Sequence, residues 1–411
     1  MSVSLIPSAR RADIDWIRVC AFGLLILYHV GLVYAPWDWH VHSPRTFEGL
    51  RYAALVTNPW RLTLLFFVSG AALRLMSAKL APRDVLKARL ARLVPPFLFG
   101  VIVLTPPQAW IEAMEKGSWS QGLGAWWLAE FSPQGFANGI PLNHLWFVLY
   151  IGVYSLAAIA LLASPRLMGA LERGAAWLLR GPALLILPMV YLSLVRQGLF
   201  ARYGLSNHLD TDWYNHAMSL AVFGLGFLTV RNAAIWRDFE RLRWVSLAVA
   251  ALALPALIRM EGVDPGATLY DGTLKNAIYA VDQWATICAV LGFASRHIRD
   301  ADGPALRYLT QAVFPCYLAH QTLLVGAAHL TKQAGLPVAI EAPLLIVVTL
   351  GGSLAIYEIV RRIDLIRPLW GLKPAPRPTS VRAQPAMLGI DLGRDLAVER
   401  VSDPPRRAEA A

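Results

Sequence analysis

Charge is scarce in this 411-residue sequence. Only 16% of its residues are Asp, Glu, Lys or Arg, against about 25% in soluble domains. With 56% apolar residues and a mean hydropathy of +0.47, this excludes an ordinary soluble domain and points to a polytopic membrane protein. Cysteine is scarce too. Cys20, Cys288 and Cys316 all lie in apolar segments without metal-ligand spacing, so neither a disulfide framework nor a metal site is expected. No internal repeat is evident, which counts against many transporter architectures. No small-x-small cleavage site follows the first apolar run, and Arg10-Arg11 lacks the rest of a twin-arginine context. The run is therefore read as an uncleaved first helix. Acidic residues number 27 against 38 basic ones. Cytoplasmic loops of membrane proteins collect Lys and Arg, so this excess is assigned to topology and no nucleic-acid partner is expected.

Apolar runs of spanning length fall at 14–36, 59–77, 93–110, 144–164, 181–197, 214–231, 243–260, 273–295, 308–330 and 339–361. They predict an all-α bundle of about ten transmembrane helices. One set of connections carries sixteen Lys and Arg, among them Arg74, Lys79, Arg83, Lys87, Arg89 and Arg92; the other carries seven, including Arg61's neighbours Arg45 and Arg51, and Arg196. The positive-inside rule places both termini in the cytoplasm. Residues 1–373 are assigned to the membrane-embedded domain. From 374 to 411 the chain turns rich in Pro and charge and loses its aromatics, as expected of a disordered cytoplasmic tail.

The first span carries Arg18 and His29. Eleven residues apart, they fall within about 20° of one helix face and about 16 Å apart along its axis. Ionisable groups are costly in hydrocarbon and mark function by default. His29 reads either as a buried, hydrogen-bonded imidazole or as a catalytic base, and Arg18 on the same face favours the base. Asp15, three residues before Arg18, is placed to orient it. His320, with Tyr317, Gln321 and the helix-kinking Pro315, lies at a depth comparable to His29; structural hydrogen-bonding and catalytic roles both stand open. His144 opens the fourth span. Ser69-Gly70 in FFVSG permits close helix approach. Lys275 and Asp282 share a face of the eighth span, read as a structural ion pair or a neutralised Asp in preference to a proton relay. Glu358 is within reach of Arg18 or Arg361. Arg89 and Arg92, three apart, place two guanidiniums on one face. That arrangement suits phosphate recognition, although ordinary inside charge explains it as well.

Two outer connections are long or aromatic. DWHVHSPRTFEGLR carries His40 and His42, and the connection after the third span carries Glu112, Glu115, Trp119, Trp126, Trp127 and Glu130. Such surfaces suit sugars, and they suit membrane-surface anchoring equally.

Taken in order, these positions resemble the acyltransferase-3 family of integral membrane O-acyltransferases. Arg18 and His29 match its R-x10-H motif, Arg89-Leu-Ala-Arg92 its RxxR motif, and FFVSG, HLWFVLY and YLAHQ further family segments. The resemblance covers about residues 10–373. Through DWIRV, WHVHS and YEIVRRIDLIRPLWG the chain looks most like the family's glucan biosynthesis subgroup, which is implied to succinylate periplasmic glucans.

The resemblance implies a cell inner membrane protein that takes an acyl group, succinyl or acetyl, from cytoplasmic acyl-CoA. The acceptor is an extracytoplasmic carbohydrate hydroxyl. No permanently bound cofactor is expected. Arg89, Arg92 and Arg18 are the CoA-binding candidates, and His29 with Arg18 the catalytic ones. His320, His144, His40 and Arg61 are the substrate-binding candidates, Arg61, His40 and His42 being placed to meet a succinyl carboxylate. A neutral imidazole suits the base that a hydroxyl nucleophile needs; a transient acyl-histidine is the alternative. A secondary transporter or flippase, and a membrane scaffold partner, are the other classes.

Overall fold

The computed structural model describes residues 10–262 and 269–374, and among the described residues there is no strand. Ten long helices follow one another: α1 (Ala12–Tyr34), α2 (Arg61–Ser77), α3 (Pro82–Glu115), α4 (Asn143–Leu162), α5 (Ala183–Tyr203), α6 (Trp213–Thr229), α7 (Ala233–Glu261), α8 (Leu269–His297), α9 (Pro304–Gln333) and α10 (Val338–Val360). Each falls on a predicted span. Seven of them have the length and apolar composition to cross a membrane. α2 and α6 are 17 residues long, and α9 carries Arg307, His320, Gln321, His329 and Lys332. Apart from Pro374, the expected tail at 374–411 lies outside the described residues.

Helix starts follow local chemistry. Pro82 and Pro304 open α3 and α9, where a missing N–H costs nothing. Asn232 caps α7, its Oδ1 accepting from the backbone N–H groups of Ala234 (2.9 Å) and Ile235 (3.3 Å). The middle of α3 is irregular for a readable reason. Gly100–Leu104 form a π-helical turn just before Pro106-Pro107. The Ile102 carbonyl would pair with residue 106 in an α-helix and residue 107 in a π-helix, and both are prolines without an N–H. The indole Nε1–H of Trp127 takes up that carbonyl at 2.9 Å. Trp127 lies in the short helix Leu123–Glu130, so the aromatic connection after α3 is folded back onto the helix it leaves.

Ser69-Gly70 does allow close packing. A Cβ on Gly70 would lie 2.0 Å from the Phe223 carbonyl oxygen of α6, and one on Gly226 would lie 2.0 Å from the Phe67 carbonyl oxygen of α2. The two backbones meet in reciprocal contact, as small residues permit. Gly70→Ala is expected to destabilise the protein by about 1–3 kcal/mol. Thermal unfolding in detergent reads this directly; an unchanged midpoint would show that the contact tolerates a methyl group.

α1 is packed against α9, α2 and α10. Its Ile26, Val30 and Val33 meet Cys316, Leu324 and Val325 of α9 in one buried cluster. The start of α1 is also tied down. Buried Arg11 pairs with buried Asp13 at 2.5 Å and lies 3.7 Å over the Trp236 ring. Arg10 bridges Asp15 (2.9 Å) and Asp302 (3.0 Å), and the Trp16 indole donates to the Ala301 carbonyl at 3.0 Å. Hydrogen bonding from Arg307 holds the Asp302 carboxyl below the usual carboxylate range. These contacts set α1 against the segment leading into α9, the two helices that carry the histidines.

Candidate active site

A cavity of about 700 Å³ runs between the helices, lined by Arg18 and His29 of α1, Arg61 of α2, Arg89, Arg92 and Glu112 of α3, His144 of α4 and Gln321 of α9. The stripe on α1 therefore faces one continuous space.

At the Arg18 end three arginines gather. Arg18 pairs with Asp15 at 3.4 Å, as its spacing suggested, and donates to the Thr310 carbonyl at 3.3 Å. That carbonyl is next to Gln311, whose helical partner is removed by Pro315. Arg18 Nε and Arg89 Nε and Nη2 are buried with no partner among the described residues. Arg92 lies 5.8 Å from the Phe314 ring. Buried N–H donors without acceptors are costly.

The middle holds an imidazole relay. His29 Nδ1 lies 3.2 Å from His320 Nε2, and His320 Nδ1 lies 2.5 Å from the Tyr317 carbonyl oxygen. A carbonyl only accepts, so His320 Nδ1 carries a proton. A neutral His320 then has a bare Nε2, which accepts from His29 Nδ1–H. The remaining nitrogen of a neutral His29, Nε2, is left with a free lone pair. His29 lines the cavity, whereas His320 is fully buried behind it. The ring of His144 packs edge-on against His320, centroids 5.1 Å apart, and its Nε2 is 3.3 Å from the Leu318 carbonyl. The Tyr317 hydroxyl donates to the His144 backbone carbonyl. Trp39, centroid 5.5 Å from His29, closes this level.

At the other end His40 is held between Glu112, at its Nδ1, and the Gln321 amide, 2.8 Å from its Nε2. Lys116 bridges Glu112 (2.7 Å) and Asp38 (3.1 Å). This pairing raises the pKa of the Lys116 ammonium above its ordinary range, the hydrogen bond it donates to Glu112 being the largest cause. His42 is used differently: its Nε2 accepts from the Trp39 backbone N–H at 3.0 Å and fixes the loop. Beside them, Arg61 and Arg196 form part of the wall, with Tyr28 and Tyr279.

Of two expected pairs, one is not formed and the other forms with Arg361, the nearer of its two expected partners. Lys275 does not meet Asp282; its ammonium pairs with Glu261 of α7 at 3.2 Å. A shared face sets direction only, and the end of α7 comes closer. Asp282 is buried, with no partner for Oδ2 among the described residues. Glu358 pairs with Arg361 (3.0 Å) and Arg362 (3.2 Å), not with Arg18, because its own helix supplies cations three and four residues on. Arg196 was visible in the sequence only as a charge on an outer connection; it sits in the cavity wall because α5 extends through a π-helical turn, Arg196–Phe200, to Tyr203.

A family model described as an acyltransferase domain matches residues 11–358 of this chain. Similar curated proteins include Glucans biosynthesis protein C of Escherichia coli (strain K12) and the protein of the same name from Shigella dysenteriae serotype 1 (strain Sd197). Each is 24% identical over 386 residues, covering 90% of this chain and 96% of the relative. No solved structure matches.

Proposed function

We propose that this chain, which belongs to the acyltransferase-3 family and is an acyltransferase, moves an acyl group from cytoplasmic acyl-CoA to a hydroxyl of an extracytoplasmic carbohydrate. In this reading it is a multi-pass protein of the cell inner membrane, all ten long helices cross, and both termini are cytoplasmic. The names of the relatives suggest a periplasmic glucan as acceptor. The acyl group is of the succinyl or acetyl class.

One observation carries the reading. His29, with a free Nε2 lone pair, shares a cavity with Arg18 and Arg89, which have donors to spare, and with Arg92 beside them. Arg18, Arg89 and Arg92 hold the phosphates of CoA at the cytoplasmic end, and the pantetheine arm extends to bring the thioester beside His29. The acceptor hydroxyl enters from the His40 end. His29 Nε2 takes the hydroxyl proton as the oxygen attacks the thioester carbonyl. The C–O bond forms, the C–S bond breaks, and the CoA thiolate takes the proton back from the imidazolium. His320 is a positioning residue. By accepting from His29 Nδ1–H it fixes the tautomer that bares Nε2 and stabilises the positive charge that develops.

Purified protein in nanodiscs is expected to consume acyl-CoA only when a glucan acceptor is present, with acyl ester on the glucan seen by mass spectrometry. Intact acyl-CoA under all acceptor conditions would overturn the reading. His320→Leu is expected to lower kcat by about 100-fold, the scale of a misplaced catalytic group. His320→Gln, whose amide oxygen can accept from His29, is expected to recover part of that loss. Equal loss in both variants would point to packing instead of orientation.

A further inference from the structure

Arginines buried away from the cavity are paired with carboxylates. Arg11 meets Asp13 at 2.5 Å, and Arg74 meets Glu172 at 2.7 Å. Arg61 and Arg196 break this pattern. Arg61 is 1% exposed and Arg196 9% exposed, yet among the described residues neither has a carboxylate within 4.0 Å. Both line the cavity.

Their surroundings hold a cation without neutralising it. Arg61 opens α2; its Nη1 donates to Thr57 Oγ1 at 2.9 Å, and its guanidinium lies 3.9 Å from the centroid of the Tyr28 ring. Its Nε is buried with no partner. Arg196 donates to Asn276 Oδ1 (3.0 Å) and to the Tyr214 hydroxyl (2.9 Å), and lies 3.6 Å from the Tyr279 centroid. Aromatic faces and neutral oxygens offset part of the desolvation cost, but a buried charge without a counter-charge remains unfavourable. Both guanidinium forks are oriented by neutral groups only. Tyr28, under Arg61, is the residue before His29 in sequence and lines the same cavity.

We infer that Arg61 and Arg196 form a carboxylate-binding subsite in the cavity wall, one that takes a carboxylate carried by a substrate into position beside His29. Planar guanidiniums match a carboxylate in a bidentate fork. The arginines at the other end of the cavity are separate from this pair and are assigned to phosphate, so the anion met here belongs to what reaches the His40 side. Two substrates can bring a carboxylate there. One is the donor, if its acyl group is the half-thioester of a dicarboxylic acid; the other is the acceptor, if it contains an acidic sugar. The identity of the substrate rests on the acyl-transfer reading above, whereas the subsite itself does not.

The test uses full-length protein in nanodiscs and the variants R61Q and R196Q. Monomethyl succinate serves as a probe with one carboxylate, and dimethyl succinate as its neutral control. Monomethyl succinate is expected to raise the thermal midpoint of the wild type and to lose that effect in both variants, while dimethyl succinate has none. Removing an uncompensated buried cation should leave the midpoint of the ligand-free variants equal to the wild type or higher. A structural arginine would lower it. In transfer assays with a neutral glucan, the preference for succinyl-CoA over butyryl-CoA, taken as a ratio of kcat/KM, is expected to fall at least about tenfold in each variant if the donor brings the carboxylate. If the acceptor brings it, the ratio that falls is acidic over neutral glycan. Wild-type selectivity in both ratios together with wild-type stabilisation by the probe would overturn the inference, and so would marked destabilisation of both ligand-free variants. Stabilisation lost in the variants, with no donor consumed by the wild type, would uphold the subsite and sink the acyl-transfer reading instead.

Discussion

Replacing His29 with alanine is expected to lower acyl transfer by about 10²–10⁴-fold, the usual contribution of a general base, while the affinity for acyl-CoA stays close to that of the wild type. The reason lies in the relay. His320 gives Nδ1–H to the Tyr317 carbonyl and accepts from His29 at Nε2; the alanine variant frees that Nε2, but His320 is fully buried and does not line the cavity, so it is not placed to act as a substitute base. His144 has one nitrogen at the Leu318 carbonyl, and its ring faces His320. Deleting His29 therefore removes the imidazole that the relay presents to the cavity and leaves in place the arginines that would hold CoA, with His144 Nδ1, buried and without a partner among the described residues, as the remaining bare imidazole nitrogen. His29→Gln separates the two functions: its amide can donate to His320 Nε2 but cannot take a proton, and it is expected to be as inactive as alanine. Single-turnover transfer measured alongside CoA binding checks both variants. An active His29→Ala protein would remove His29 from the chemistry.

The second large effect is expected at the other end of the same cavity. Charge-assisted hydrogen bonds contribute about 1.5–3 kcal/mol each, so Arg89→Gln or Arg92→Gln should raise KM for acyl-CoA by about 10–100-fold. The double variant should do so by more, with kcat reduced far less. Arg89 has two buried guanidinium nitrogens without partners, so it is expected to show the larger shift. A donor lacking the 3′-phosphate distinguishes phosphate recognition from general loss of charge: if the pair reads that phosphate, wild type and variants should differ less with it. Salt should narrow the difference more for Arg92, which is exposed, than for Arg89, which is partly buried. Variants with unchanged KM would leave the pair as ordinary topological charge.

Much of the helical frame was legible because apolar runs and charged connections are local in sequence. The stripe on α1 was legible for the same reason: Arg18 and His29 share one helix, and helical geometry fixes their relation. Asp15 with Arg18 is another such local pair. Three kinds of information were not local. The bond between His29 and His320 joins residues 291 apart, and only packing of α1 on α9 brings it about. Lys275 found Glu261 on α7 because a side-chain partner is chosen by tertiary distance, not by shared face alone. Arg196 was legible only as a charge on a connection, and its place in the cavity wall depends on how far α5 continues. Composition alone also carried fewer spans than expected, since α2, α6 and α9 combine shortness or polarity with burial in the bundle. The transporter alternative drew on ten helices and on intramembrane Lys275 and Asp282. Family membership replaces it.

The Ile102 carbonyl has a consequence for how this protein can change. Two consecutive prolines leave it with no donor from its own helix, and Trp127 supplies one. The docking point of the outer loop is thus written in α3, at Pro106 and Pro107, and the loop need contribute only one indole at the right place. Residues around that indole are free to vary in length and character without the loop losing its berth. A single change at either proline would offer the carbonyl a helical partner in place of Trp127, and the segment would then be held to α3 through the Trp110 indole, which donates to the Gln121 carbonyl at 2.9 Å.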